Sequence, residues 1–240
     1  MEPILLYDTT LRDGTQGENS SFTADEKLAI AKMLDDIGIH YIEGGWPGSN
    51  PRDRQFFDLA KRTEFKHSRL TAFGSTRRPG ISPDDDPNLK ALIESKTPAV
   101  ALFGKSWGLH VERIMENTLE ENLAMISDSV KFLKSGNREI IYDAEHFFDG
   151  YKENREYAFK TLDAAMEGGA DFIVLCDTNG GTLPFEIEAA IADVKEVLGV
   201  KYRGEHKRSG IRIGIHTHND CGLAVANSIT AVKAGATMVH

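Results

Sequence analysis

Short apolar runs alternate along this chain with longer stretches of helical spacing. The runs at 4–8, 40–43, 69–73, 98–103, 139–143, 171–176, 211–216 and 236–240 predict strands. Between them, Thr23 with Glu26 forms a capping box ahead of Ile30, Met33, Leu34 and Ile37, and Gly38 suits the stop. Thr118 with Glu121 offers a second box ahead of Leu119, Leu123, Ile126, Val130 and Leu133. Pro184 fits the first turn of a helix that places Ile187, Ile191, Val194 and Leu198 on one face. Helix-glycine-strand junctions recur at Gly38, Gly169 and Gly235. Repeated βα units with short returns imply a parallel sheet. Eight of them point to an α/β protein with a (β/α)8 TIM barrel, truncated at or just after strand 8; an open doubly wound sheet is the alternative. No Pro- or Ser-rich linker breaks the pattern, so residues 1–240 are expected to form a single catalytic barrel domain whose last loop and helix are missing.

Composition narrows the function classes. Of 240 residues, 40% are hydrophobic and 27% charged, with a net charge of -9, which argues against broad nucleic-acid binding. Two cysteines, Cys176 and Cys221, form no disulfide framework and fit a reducing cytosol. Cys176 is expected in the core and Cys221 in packing. No apolar run approaches a membrane span, and the N-terminus shows no signal peptide, so a cytoplasmic location is expected. The basic stretch Lys201–Arg208 reads as a solvated loop.

Chemistry concentrates at predicted strand ends. In the run Ile211–Asp220, alternation sends Ile211, Ile213 and Ile215 toward the helices, and Arg212, Gly214, His216 and His218 toward the lumen. Two histidines on one face at the C-terminal end of a strand can reach one metal ion, although a pair of hydrogen-bonded histidines would look the same. Asp13, after strand 1, can add a carboxylate oxygen, and Arg12 a fixed cation for a carboxylate or an enolate oxygen. A surface Arg–Asp turn is the bland reading. Strands 1 and 7 flank strand 8, so Asp13 and the histidines can meet across the top. The mixed set suits Zn, Mn, Co or Mg, and leaves coordination positions open. Glu43, Glu145, Asp177, Thr178 and Asn179 also fall at strand ends, where each could equally cap a helix or shape a turn.

Taken in order, Asp8-Thr9-Thr10-Leu11-Arg12-Asp13-Gly14, Glu145, Asp177-Thr178-Asn179-Gly180 and His216-Thr217-His218-Asn219-Asp220 resemble the DRE-TIM metallolyase superfamily. That group holds isopropylmalate, homocitrate and citramalate synthases and the hydroxymethylglutaryl-CoA lyases. The segments Tyr41–Pro51, Leu102–Trp107 and Asp143–Gly150 are similar to the citramalate synthase branch. The resemblance implies a metal-dependent condensation of acetyl-CoA with pyruvate, giving (R)-citramalate and CoA in isoleucine biosynthesis. It implies Asp13, His216 and His218 as metal ligands and Arg12 over the reacting carbonyl. It places Thr178 on the 2-oxo acid carboxylate, Glu145 as a catalytic and pocket-shaping residue, Glu43 at the substrate, and a homodimer in solution. An isopropylmalate synthase using 2-oxoisovalerate, a related acyl-CoA lyase and a non-catalytic fragment are the alternatives.

Overall fold

The computed structural model describes residues 3–17, 20–202 and 212–240. Each predicted apolar run supplies a strand: β1 Leu5–Asp8, β2 Tyr41–Gly45, β3 Arg69–Ser75, β4 Ala99–Lys105, β5 Glu139–Glu145, β6 Phe172–Asp177, β7 Ile213–Thr217 and β8 Met238–Val239. The helices between them are α1 Ala24–Asp36, α2 Pro51–Ala60, α3 Pro87–Glu94, α4 Gly108–Arg113 and α5 Leu119–Ser135. They continue as α6 Phe147–Glu153, α7 Arg155–Gly168, α8 Pro184–Lys201 and α9 Ala224–Ala234. Ile211 and the basic stretch beyond Tyr202 lie outside the described residues, whereas Lys201 ends α8 and pairs with Asp163 at 3.0 Å.

Closure decides the fold class. All neighbouring strands are parallel, and β1 pairs with β8 through Leu5–Met238 and Leu6–Val239, so the sheet is a closed eight-stranded barrel rather than an open one. Strand alternation divides the apolar residues into two bodies. Ile213 and Ile215 join Leu102, Ile140, Ile173 and Leu175 in the layer under the helices, as expected. Tyr7, Tyr41, Phe73, Ile141, Phe172, Val174, Cys176 and Met238 fill the lumen. The lumen is therefore a packed core beneath the mouth, as in other barrels of this type.

The three junction glycines behave alike. Gly38, Gly169 and Gly235 have φ of +85°, +95° and +114°, a region that costs a residue with a side chain more than it costs glycine. Each reverses the chain into the next strand. Helix α8 buries Ile187, Ile191, Val194 and Leu198 as their spacing predicts.

Helix α1 departs from its apolar pattern. Thr23 and Glu26 do form the capping box, but Met33 and Ile37 are exposed while Ala24, Lys27, Ala31 and Asp35 are buried. Two polar residues turn inward because each finds partners there. Asp35 accepts the backbone N–H groups of Lys66, His67 and Ser68 at 2.8, 2.8 and 2.7 Å. Lys27 pairs with Asp53 of α2 and donates to the Gly44 carbonyl. Only half of the second capping box forms: Thr118 accepts from the Glu121 N–H, but the Glu121 carboxylate turns to Arg77 and the Gly80 N–H.

Candidate active site

The C-terminal ends of the strands frame a cleft lined by Arg12, Asp13, Gln16, Trp46, Phe73, Phe103, Asp143, Glu145, Cys176, Thr178, His216 and His218. Its most polar wall comes from the β1 loop and the end of β7. The Asp13 Oδ2 atom lies 3.5 Å from His216 Nε2 and 3.8 Å from His218 Nε2. One ligand atom from each of the three residues falls within 4.8 Å of the others. The imidazoles stack with centroids 5.1 Å apart, so the two-residue step along β7 and its exit does bring both rings to one side. The contact to His216, aided by Arg12, holds the Asp13 carboxyl at about 2, well below the usual range. Burial and the neighbouring His216 lower the pKa of His218, favouring the neutral ring that a metal needs. Two imidazole nitrogen donors and one ionised carboxylate oxygen fit a divalent cation with coordination positions left for substrate.

Arg12 is locked in place. Its Nε donates to Glu43 at 2.5 Å, its Nη1 to Asp13 at 3.0 Å, and its Cζ sits 3.8 Å above the Phe73 ring. Glu43 also accepts from the Tyr7 hydroxyl at 2.7 Å. Burial alone would lower the Arg12 pKa, but Glu43 and Asp13 outweigh it and keep the guanidinium charged. Glu43, expected at the substrate, is not part of the cleft lining. It lies inside β2 rather than after it, is fully buried, and spends its carboxylate on Arg12 and Tyr7.

The remaining predicted residues divide in two. Glu145 ends β5, lines the cleft and pairs with Lys105 of β4. Thr178 lines the cleft and accepts the His146 N–H at 2.9 Å. Asp177 points away from chemistry, because its oxygens accept the Thr182 hydroxyl at 2.7 Å and the Thr182 N–H at 3.3 Å, closing the turn after β6. Cys176 is in the lumen core and touches the cleft floor, where burial pushes its thiol up. Cys221, expected in packing, is exposed.

Asp143 was not singled out by the sequence reading. It sits two residues before Glu145 on the same strand face, a step that could have found it. It is 3% exposed, its Oδ1 has no hydrogen-bond partner, and burial with Glu43 nearby pushes its pKa up to about 7. An aromatic wall also went unread. Trp46 stands edge-on to Phe73 and Phe103 at 5.7 and 5.4 Å, and its indole Nε1 is tied to Asn88 at 2.6 Å. The Trp46 N–H is held at 2.8 Å by Asp53, the partner of buried Lys27. These residues come from separate elements, and no local motif links them.

A parallel eight-stranded barrel with a carboxylate–imidazole cluster and a fixed arginine at its C-terminal mouth defines the class: a TIM barrel built for chemistry at that end. Residues 3–240 match the family described as HMGL-like, and the chain belongs to it, which bears out the resemblance read from the motifs. It is 55% identical over 239 residues to a protein of Aquifex aeolicus named (R)-citramalate synthase, covering 100% of this chain and 43% of that one. The same name is carried by a Geobacter sulfurreducens protein that is 52% identical over 240 residues, again 100% of this chain and 43% of that one. The chain thus spans less than half the length of these curated relatives. A crystal structure of hydroxymethylglutaryl-CoA lyase from Pseudomonas aeruginosa superposes with a TM-score of 0.78 at 17% identity, covering 99% of this chain and 75% of that one, and shows the shared fold.

Proposed function

We propose that residues 1–240 form the catalytic barrel of an acyltransferase that joins acetyl-CoA to pyruvate and releases (R)-citramalate and CoA. The observation that carries this reading is the Asp13–His216–His218 cluster beside a fixed Arg12. The names of the two relatives support the choice of substrates. The three cluster residues would hold a divalent ion, of which Zn, Mn, Co and Mg all suit the donors. Such an ion, when bound, polarises the acceptor ketone as a Lewis acid.

The protein's own groups do the rest. Arg12 cannot swing away, since Glu43, Asp13 and Phe73 hold it on three sides. It is therefore preorganised for the negative charge that collects on oxygen as a base takes a proton from the acetyl methyl group and that carbon bonds to the ketone carbon, whose oxygen is then protonated. The Thr178 hydroxyl has its acceptor side occupied by His146 and donates to the 2-oxo acid carboxylate. Glu145, steadied by Lys105, shapes the acetyl side of the pocket. Glu43 works by orienting Arg12. Trp46, Phe73 and Phe103 pack on one another and give the cleft an apolar side for the acceptor's carbon chain. After condensation, water hydrolyses the thioester, so that the C–S bond breaks and CoA leaves as the thiol. A cytoplasmic homodimer serving isoleucine synthesis completes the proposal. Among the described residues no helix is long and apolar enough to cross a membrane.

The test is CoA release followed as free thiol, with acetyl-CoA, Mn2+ and either pyruvate or 2-oxoisovalerate. Pyruvate-dependent release that His216→Ala abolishes is the expected result. Release with 2-oxoisovalerate alone overturns the acceptor assignment, and no release with any 2-oxo acid overturns the synthase reading.

A further inference from the structure

One residue beside the cleft adopts a backbone conformation that its type seldom takes. His146, between β5 and α6, has φ 56° and ψ 34°, the left-handed region, and its side chain makes no cap for the helix it precedes. A residue with a side chain stays there only when its surroundings over-determine it. Here they do. The ring nitrogen Nδ1 lies 2.9 Å from Asp149 Oδ2, and the same oxygen accepts from Asn179 Nδ2 at 3.0 Å. The imidazole meets the His110 ring at 4.4 Å and 69°, and the Trp107 indole at 5.6 Å and 42°. Groups after β4, β5 and β6 thus converge on one ring.

The left-handed turn reverses the backbone just past Glu145, and the His146 N–H points at Thr178 Oγ1, 2.9 Å away. A hydroxyl that accepts on one side keeps its single hydrogen for another partner. Thr178 lines the cleft and the His146 N–H arrives from outside its lining, so that hydrogen is left for a ligand. We infer that His146 is a positioning residue for 2-oxo acid binding: the Asp149–Asn179 clamp and the two flanking rings hold its left-handed backbone, which orients the Thr178 hydroxyl toward the acceptor carboxylate. This rests on the function proposed above, and adds to it the device that sets the threonine.

A cycle of variants in the full chain loaded with Mn2+ separates orientation from general support. His146→Gly keeps the left-handed turn accessible but removes the clamp. It is expected to raise KM and the calorimetric Kd for pyruvate about tenfold, the worth of one well-aimed hydrogen bond, while kcat changes less. In a Thr178→Val background the same change is expected to have no further effect, because the hydroxyl it acts through is gone. Thr178→Ser, which retains the hydroxyl, is expected to restore the sensitivity. Wild-type KM and Kd in His146→Gly, or equal effects with and without the Thr178 hydroxyl, overturn the inference. Should His146→Gly fail to fold, Asp149→Asn loosens the same ring and takes its place in the cycle. The acceptor used is the one that wild type turns over, so failure with pyruvate counts against the proposed substrate and failure of coupling counts against the positioning role.

Discussion

At the bottom of the lumen, Glu139 opens β5 with both carboxylate oxygens engaged. It accepts from the Tyr41 hydroxyl at 2.8 Å, pairs with Arg69 of β3, and meets Arg212 at 3.3 Å, whose guanidinium covers the Phe172 ring at 3.5 Å. At the mouth, four residues along the same strand, Asp143 is more deeply buried, lines the cleft and has an oxygen without a partner. Nearby Asp13 meets two imidazoles that make no other side-chain bond among the described residues. Both ends of the barrel bury carboxylates beside arginines. At the bottom the Glu139 carboxylate has all its partners within the fold, and at the mouth Asp143 keeps an oxygen without one. Burial of charge therefore does not distinguish the two ends; the pairing of their carboxylates does.

The largest effects should follow from emptying the mouth. His216→Ala and Asp13→Asn each remove one donor of the cluster and are expected to abolish metal retention and to lower turnover by about a thousandfold or more. Arg12→Ala should cost about as much, since it removes the fixed cation beside the reacting oxygen. Metal content by mass spectrometry and the thiol assay distinguish the two cases: Arg12→Ala keeps its metal. Glu139→Gln at the bottom should leave both readouts unchanged. If it lowers kcat as the mouth variants do, the division between the two ends fails.

Asp143 sharpens the comparison through pH. Its pKa in the folded protein is about 7, raised above the unfolded carboxylate value by burial. Below about pH 4 both states bind the proton, and the residue neither helps nor hurts folding. Between about 4 and 7 the unfolded chain ionises while the folded one resists, so stability is lost as pH rises, and the full cost stands above 7. Asp143→Asn copies the neutral form. It is expected to stabilise the metal-free barrel by a few kcal/mol at pH 8 and by much less at pH 5, read from urea midpoints. A constant difference between the two pH values would show that Asp143 ionises freely in the fold. For Glu139→Gln the expected loss is about 2 kcal/mol, because two arginines are left short of charge, although Arg69 is half in solvent.

How much of this was legible follows the same division. The strands, the closed barrel, the face of β7 and the meeting of Asp13 with His216 and His218 were readable, because each depends on periodicity or on strand order. The Glu43 contact was misplaced. Ending the strand at Glu43 put its carboxylate at the rim, whereas β2 runs on to Gly45, whose backbone, at φ +144°, lies close against Asp53. The buried Lys27–Asp53 pair and the Trp46–Asn88 bond were not readable, since the partners lie 26 and 42 residues apart and a lysine in a helix reads as solvated. The apolar side of α1 was misjudged for the same reason: Met33 and Ile37 are exposed while Lys27 and Asp35 are buried, because satisfied polar groups can outrank apolar spacing.

The smallest expected effect is also the closest pairing of the two ends. Tyr7 and Tyr41 are register partners in β1 and β2, their rings stack at 5.9 Å, and both are 4% exposed. Tyr7 donates to Glu43 at 2.7 Å and Tyr41 to Glu139 at 2.8 Å, so one hydroxyl serves the mouth and the other the bottom. Phenylalanine at either position keeps the ring packing and removes one hydrogen bond to a carboxylate, worth about 1.5 kcal/mol of stability. By thermal or urea unfolding the two variants should be nearly alike. Kinetically they should part. Tyr7→Phe leaves Glu43 free to rotate under Arg12 and is expected to lower kcat/KM several-fold, whereas Tyr41→Phe, with Glu139 still held by two arginines, should leave it unchanged. Equal kinetic losses would mean that the lumen transmits disturbance along its whole length, and that its two ends are one polar system.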